Sequence, residues 1–312
     1  MKNKKIVVTG GLGFIGSHLV EKFIDNNEVV IVDNQSTGNI ENIKELDTTQ
    51  IDTTFGSIND LNLEEIFEGT DYVFHLAAVT SVPQSVEDPV KSNEVNITGT
   101  LKVLEAARKT GVKKLVFSSS SAVYGETEVL PISEEVPINP LSPYAVSKAT
   151  AELYCNVYSE IYDLPTTCLR YFNVFGPKQD PNSQYAAVIP IFINKLLKNE
   201  RPTIYGDGEQ TRDFVSVERV VEANELAAES RETGVFNIGL GKSTSINQLF
   251  ELVKESVKKD IEPVYEPARS GEIKHSVADV SKAKVLGFNP DAEYQEDLIK
   301  TIDSIAYNMF NK

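Results

Sequence analysis

The sequence predicts an α/β protein built on a doubly wound parallel sheet, with a smaller α/β lobe toward the C-terminus. Three observations predict it. Short runs of Val, Ile and Phe alternate with stretches of helical spacing from the first residues onward. The short runs are nearly continuous in apolar residues, as expected of strands covered by helices on both faces. The 312 residues, 41% hydrophobic and 24% charged, suffice for a large core with a cleft and describe an ordered chain.

In order, KIVVT at Lys5–Thr9 reads as the first strand, Ile15–Asn26 as an apolar helix, and EVVIV at Glu28–Val32 as the second strand. Asp71–Leu76 and Leu115–Ser118 are further β-branched or aromatic runs on either side of the helical stretch Pro89–Lys109. Ala145–Ile161 is a helix preceded by Pro143, which suits a first helical turn, and Thr166–Tyr171 is the strand that follows. Past about Asn173 the regularity weakens and loops with Pro and Gly occupy 176–181, 201–208 and 262–271. Asp213–Val217 and Val235–Gly239 are expected to return to the main sheet. The reading therefore assigns 1–172 and 213–240 to a dinucleotide lobe, and 173–212 with 241–312 to a second lobe.

Thirty Lys+Arg against 46 Asp+Glu give a net charge of −16. Such a surface repels nucleic-acid phosphates and anionic membranes, and no basic run beyond MKNKK offsets it. A small anion can still be held by local cations, and the seven arginines are the ones to inspect. Cys155 and Cys168 fall in a helix and a strand and read as buried thiols. His18, His75 and His275 lack metal-ligand spacing, so no metal site is expected. With no apolar run of membrane-span length and an early turn to glycine, the expected location is the cytoplasm.

TGGLGFIG follows the first strand and places Gly10, Gly13 and Gly16 ahead of an apolar helix. Glycine there permits a sharp turn, close approach of a pyrophosphate and tight helix–strand packing, while the helix N-terminus offers free N–H groups. Asp33 ends the second strand, where a carboxylate can accept both adenosine ribose hydroxyls and repel a 2′-phosphate. The pattern is that of a Rossmann-type site for NAD in preference to NADP.

Tyr144 and Lys148 in SPYAVSK share a helix face. A free tyrosine, with a pKa of about 10, is a poor base at neutral pH. An adjacent ammonium and the positive ring of an oxidised nicotinamide would both stabilise its phenolate. Upstream, FSSSSAVYG ends a buried strand in four serines at the sheet edge where such folds bind ligands. Ser120 is the candidate to contact the reacting oxygen, with Ser119 and Ser121 as alternatives.

Together TGGLGFIG, SSSSAVYG, SPYAVSK and LRYFNVFGP resemble the extended short-chain dehydrogenase/reductases, and among them the UDP-sugar 4-epimerases. QDPNSQYAAVIP, GDGEQTRDFVSV and RSGEIKHSVADVSKA resemble the UDP-N-acetylglucosamine and UDP-glucose 4-epimerase group. The resemblance implies that Tyr144 takes the proton of the sugar 4′-hydroxyl while hydride passes to NAD, with Ser120 bridging and Lys148 holding the ribose. The 4-keto sugar then turns over and takes the hydride back on its other face. It further implies cofactor contacts at Phe14, Ile15, Asn34, Gly38, Ser57, Ile58, Leu76, Ala77, Ala78, Asn96, Ser118 and Tyr171, besides the residues above.

For the substrate the resemblance implies Ser81, Ser121, Asn173, Ala187, Val188 and Tyr205, with Arg212 and Arg269 on the diphosphate. Glu272 stands where the family usually has the Asp that binds the uridine ribose. Ser276 stands where related epimerases restricted to glucose and galactose carry a tyrosine, so an N-acetylated UDP-hexose is expected to fit beside the plain ones. The related 4,6-dehydratases need an Asp/Glu pair directly before Val-Tyr-Gly, and Ser121-Ala122 stand there. A UDP-glucuronate 4-epimerase or decarboxylase remains an alternative, as does a non-catalytic NAD/UDP-sugar sensor. The family's pairing of two subunits implies a homodimer through Pro89–Lys109 and Tyr144–Tyr162, which would account for Tyr154, Val157, Tyr158 and Ile161 at helical spacing, as would an ordinary buried helix face.

Overall fold

The computed structural model describes residues 1–180, 187–268, 273–290 and 294–310. The chain opens with β1 (Lys5–Thr9), α1 (Phe14–Phe23), β2 (Glu28–Asp33) and β3 (Ile51–Phe55). After α2 (Leu63–Ile66) and β4 (Tyr72–His75) come α3 (Val82–Glu87), α4 (Pro89–Asn93), α5 (Gly99–Thr110) and β5 (Lys114–Ser120). Then follow α6 (Pro143–Ile161), β6 (Thr166–Tyr171), β7 (Asn173–Phe175), α7 (Val188–Leu197), β8 (Thr203–Tyr205), β9 (Thr211–Arg212) and β10 (Phe214–Ser216). The last elements are α8 (Val217–Glu229), β11 (Gly234–Ile238), β12 (Thr244–Ser245), α9 (Ile246–Val257), β13 (Val264–Glu266) and α10 (Gln295–Phe310).

Seven parallel strands form the main sheet in the order β11-β6-β5-β4-β1-β2-β3. The order reverses between β1 and β4, which opens a crevice at their carboxyl ends. The continuous apolar strands have a direct cause. Ile6 and Val8 of β1 join Val116, Leu169 and residues of α1 and α8 in one core, while Val7, Leu115 and Phe117 join residues of α5 and α6 in another. Successive residues thus face different helical layers, and both must be apolar. A third core of Phe175, Phe192, Ile204, Phe214, Phe250 and Ile302 lies among α7, α9 and α10.

Three expectations change. Asp213–Val217 does not return to the main sheet: β10 pairs in parallel with β7 as a two-stranded sheet, because β11 occupies the place beside β6. Pro89–Lys109 is not one α-helix, since a π-helical turn at Glu94–Thr98 separates α4 from α5. Of the residues set at helical spacing for an interface, Val157 and Ile161 are exposed, but Tyr158 is buried and donates its hydroxyl to Glu105 at 2.5 Å. Cys155 and Cys168 are free and buried. Among the described residues no helix is long and apolar enough to cross a membrane, and no cluster of His, Cys, Asp and Glu could hold a metal.

Candidate active site

The glycine turn lies at the end of β1. Gly10 has φ +72°, in the left-handed region, and a Cβ there would stand 2.9 Å from the Ala77 nitrogen. Gly13 is the N-cap of α1, and a Cβ at Gly16 would stand 2.1 Å from the Gly10 carbonyl oxygen. The backbones of β1, α1 and the loop after β4 therefore close on one another only without side chains at Gly10 and Gly16. Phe14 and Ile15 open α1 from half-buried positions. Asp33, 6% exposed, accepts the Leu12 N–H at 3.0 Å and the Gln35 N–H at 2.7 Å. Gly38 packs so closely that a Cβ would lie 2.9 Å from either Asp33 carboxylate oxygen. Asn34 is exposed beside it.

Beneath the turn is a hydrogen-bond chain that sequence reasoning missed. Thr100 donates to the Asn96 carbonyl at 2.6 Å, so it must accept from Nε2–H of His75 at 2.9 Å. Nδ1 of His75 then accepts from the Thr9 hydroxyl at 2.7 Å, and Thr9 in turn accepts the N–H groups of Leu76 and Ala77 at 3.2 and 3.3 Å. Burial pushes the His75 pKa down to about 3, so the ring is neutral and its tautomer is fixed by its neighbours. The available signal was its position at the carboxyl end of a central strand.

Asn96, in the π turn, accepts the Val79 N–H at 2.7 Å and donates to the Val79 carbonyl at 3.0 Å and to Ser147 at 2.9 Å. Ser147 donates to the Tyr144 carbonyl at 2.7 Å, and the Tyr144 N–H donates to Ser85 at 3.1 Å. The loop carrying Ala78 is so tied to the start of α6. Ser142 caps that helix by accepting the Ala145 N–H at 3.2 Å, with Pro143 in its first turn.

The serine run divides its work by strand alternation. Ser118 shares a hydrogen bond of 3.0 Å with Tyr171, whose hydroxyl also contacts Asn224, and burial pushes the Tyr171 pKa up to about 12. Both side chains are thus held in the core. Ser119 faces α6 and donates to Glu152. Ser120 accepts the Ala122 N–H at 3.2 Å, and of the three candidates it is the one whose hydroxyl pulls the Tyr144 phenol pKa down. Ser121 starts a 3-10 turn and is half-buried.

Lys148 is buried, donates to the Ser118 carbonyl at 2.7 Å and lies 5.9 Å from the centre of the Tyr144 ring. Burial lowers its pKa to about 8. Desolvation raises the Tyr144 phenol above its ordinary value, with the nearby Ser120 hydroxyl pulling it back. The expected lowering by Lys148 is absent from this arrangement, since its ammonium is directed to a backbone carbonyl.

Ser57 accepts the Asn59 N–H at 3.1 Å, whereas Ile58 is a core side chain packed on Gly99. Ser81 caps α3 by accepting the Gln84 N–H at 3.1 Å. Asn173 is exposed on β7, Ala187 is the exposed N-cap of α7 and Val188 its half-buried first residue, and Tyr205 ends β8. Arg212 donates to the Thr211 carbonyl at 2.9 Å. Ser276 is 8% exposed, and its N–H donates to the same Thr211 carbonyl at 3.2 Å, which brings Arg212 and Ser276 together. Arg269 and Glu272 lie outside the described residues.

The segment after Ser276 connects back to the serines. Ala278 bridges Ile132, and both pack with Val123, Tyr124, Ala149 and Phe172 in one cluster. Tyr124 donates to Asn237 at 2.7 Å, and Asn237 donates to the Ile132 carbonyl at 2.9 Å. Asp213 ties the same region together by accepting the N–H groups of Leu240, Gly241 and Ala278 at 2.8, 2.9 and 3.1 Å.

Comparison with known proteins agrees with this geometry. The UDP-N-acetylglucosamine 4-epimerase from Methanobrevibacter ruminantium M1, solved in complex with UDP-N-acetylmuramic acid, is 48% identical, with a TM-score of 0.98 over 99% of this chain and 100% of that one. The UDP-glucose 4-epimerase of Thermotoga maritima, solved with UDP-glucose, is 44% identical, with a TM-score of 0.93 over 98% of this chain and 99% of that one. The UDP-glucose 4-epimerase of Mycolicibacterium smegmatis is 38% identical over 96% of this chain and 97% of its own length. Residues 6–239 match the epimerase model of one family, so the chain belongs to the NAD dependent epimerase/dehydratase family.

Proposed function

We propose that the protein inverts C4′ of a UDP-hexose with NAD as a recycled cofactor, acting on UDP-N-acetylglucosamine and its galacto epimer and also on UDP-glucose and UDP-galactose. One observation carries the reading: Ser120, whose hydroxyl pulls the Tyr144 phenol pKa down, ends β5 beside Tyr144, which sits one helical turn from buried Lys148. The chain's residues fit the dinucleotide. Side chains at Gly10 or Gly16 would collide with backbone where the pyrophosphate must approach, and the Asp33 carboxylate has lone pairs left for ribose hydroxyls. When bound, NAD supplies a hydride acceptor and a positively charged ring.

Ser120 holds the sugar 4′-oxygen against Tyr144, and Tyr144 removes and later returns its proton. Because desolvation holds the phenol up, Tyr144 needs a positive charge beside it to act as a base, which makes oxidised cofactor a condition of proton removal. Lys148 is placed to hold the nicotinamide ribose. Arg212 is assigned to the diphosphate, and the small Ser276 beside it supports an acetamido substrate. The N-acetyl sugar nucleotide bound by the Methanobrevibacter relative supports the same choice.

The assignment of 1–172 and 213–240 to the cofactor and of 173–212 and 241–312 to the UDP-sugar belongs to this reading. So does a homodimer through α6, whose exposed Val146, Leu153, Val157 and Ile161 form one apolar stripe. The two free, buried thiols support a cytoplasmic location.

The test is incubation with UDP-glucose, UDP-N-acetylglucosamine and UDP-glucuronate without added NAD, reading the product sugars. Conversion of UDP-N-acetylglucosamine to its galacto epimer is expected, and Ser276→Tyr should abolish it while sparing UDP-glucose. Equal loss on both substrates sinks the acetamido reading. Turnover of UDP-glucuronate alone establishes the uronate alternative.

A further inference from the structure

Behind the Ser120–Tyr144 contact, a buried ion pair joins α6 to β6. Glu152 lies one turn past Lys148 and two past Tyr144 on the same helix face. Glu152 and Arg170 are each 5% exposed. Arg170 donates from Nε to Oε1 of Glu152 at 2.9 Å and from Nη2 to Oε2 at 2.7 Å, a two-pronged contact. The guanidinium also stacks 4.7 Å from the centre of the Tyr124 ring. A pair this deep gives little dependable net stability, because desolvation offsets the attraction.

Its other contacts show what it can do. Oε1 of Glu152 accepts the Ser119 hydroxyl, and Ser119 directly precedes Ser120. Fixing Ser119 on the α6 side of β5 fixes the peptide from which Ser120 reaches Tyr144. Glu152 is also a charge beside Lys148, whose hydrogen bond goes to a neutral carbonyl. The groups facing Lys148 are Tyr144, Glu152 and Cys155 on α6, Phe117 on β5, Cys168 on β6, with Arg170 beyond Glu152, and His75 on β4. Burial keeps His75 neutral, and the Cys155 contact with burial keeps Cys168 a thiol, so the carboxylate of Glu152 is the counter-charge in this set.

We propose that Glu152 is a positioning residue: through Ser119 it sets the end of β5 that presents Ser120 to Tyr144, and its charge keeps buried Lys148 protonated. The inference rests on the catalytic reading of Ser120 and Tyr144 given above. The test uses the full-length protein as purified, with carbon-13 NMR titration of the Lys148 side chain, assigned by its absence in Lys148→Met. Glu152→Gln should move the Lys148 midpoint down by about half a pH unit or more, whereas Ser119→Ala should leave it in place. With the UDP-hexose substrate, both variants should lose about ten-fold or more in kcat while KM stays within about three-fold. If Glu152→Gln leaves Arg170 an unpaired buried charge and does not fold, Glu152→Gln with Arg170→Met replaces it and should show a smaller downward shift, since the lost Arg170 charge offsets part of the lost carboxylate. An unmoved Lys148 midpoint, or wild-type kcat in Ser119→Ala, overturns the proposal. Absence of turnover in the wild type would instead refute the assigned reaction, and the Lys148 titration would still decide whether Glu152 holds the charge.

Discussion

Tyr144 stands between two opposing influences, desolvation that raises its phenol and the nearby Ser120 hydroxyl that lowers it. Removing only the hydroxyl separates proton transfer from every other contact of the ring. Tyr144→Phe should lose about 10²- to 10⁴-fold in turnover while UDP-sugar affinity, measured by calorimetry, stays within a few-fold. Unchanged turnover would make the protein a binder of the same ligands and not an epimerase. His75 behaves differently. It is fully buried where Tyr144 is half-buried, both its ring nitrogens are committed to threonines, and it holds backbone in place without exchanging a proton. Gly10, Gly16 and Asp33 were legible as a set because each answers to a local requirement of the turn. The roles of His75, Asn96 and Glu152 depend on partners between 17 and 66 residues away, and no local pattern encodes them.

At the scale of elements, the contact of α1 with the turn after β1 is a tight constraint. A methyl at Gly16 would meet the Gly10 carbonyl and the Gly11 Cα, backbone atoms that cannot turn aside as a side chain can. Gly16→Ala should therefore cost about 1–3 kcal/mol in denaturant unfolding and weaken NAD retention, because relief requires moving the helix N-terminus. Wild-type stability together with full NAD retention would show that the turn adapts. The strands β1 and β6 were legible to the residue, β1 from its apolar IVV and β6 from the β-branched and aromatic residues of TTCLRY. The edge strand β3, IDTTF, was not, because an edge strand with half-exposed residues needs little apolar signal. The π turn was also illegible: NEVNITG continues a helical spacing, and the widening is set by Asn96 clamping Val79.

At the scale of the whole molecule, the proposed dimer rests on the apolar stripe that α6 presents. Leu153 is 63% exposed and Ile161 67%, with Val157 between them. Leu153→Glu should convert a dimer to a monomer in size-exclusion chromatography with light scattering, with little change in folding. A monomeric wild type would assign the stripe another purpose. The two proposed lobes are built from interleaved chain. The core holding Ile6 and Val8 also takes Val215, Ile238 and Leu286, while the core holding Phe192 takes Phe175, Phe214, Leu249 and Ile302. The backbone crosses repeatedly from one to the other, and Asp213 knots three of these passages with one carboxylate. On the proposed division, sugar selectivity should not transplant as a cassette between relatives. A recombination point that gave the sugar-facing segments a new parent would sever their packing against the older half, so new preferences have to arise by single replacements inside an intact weave.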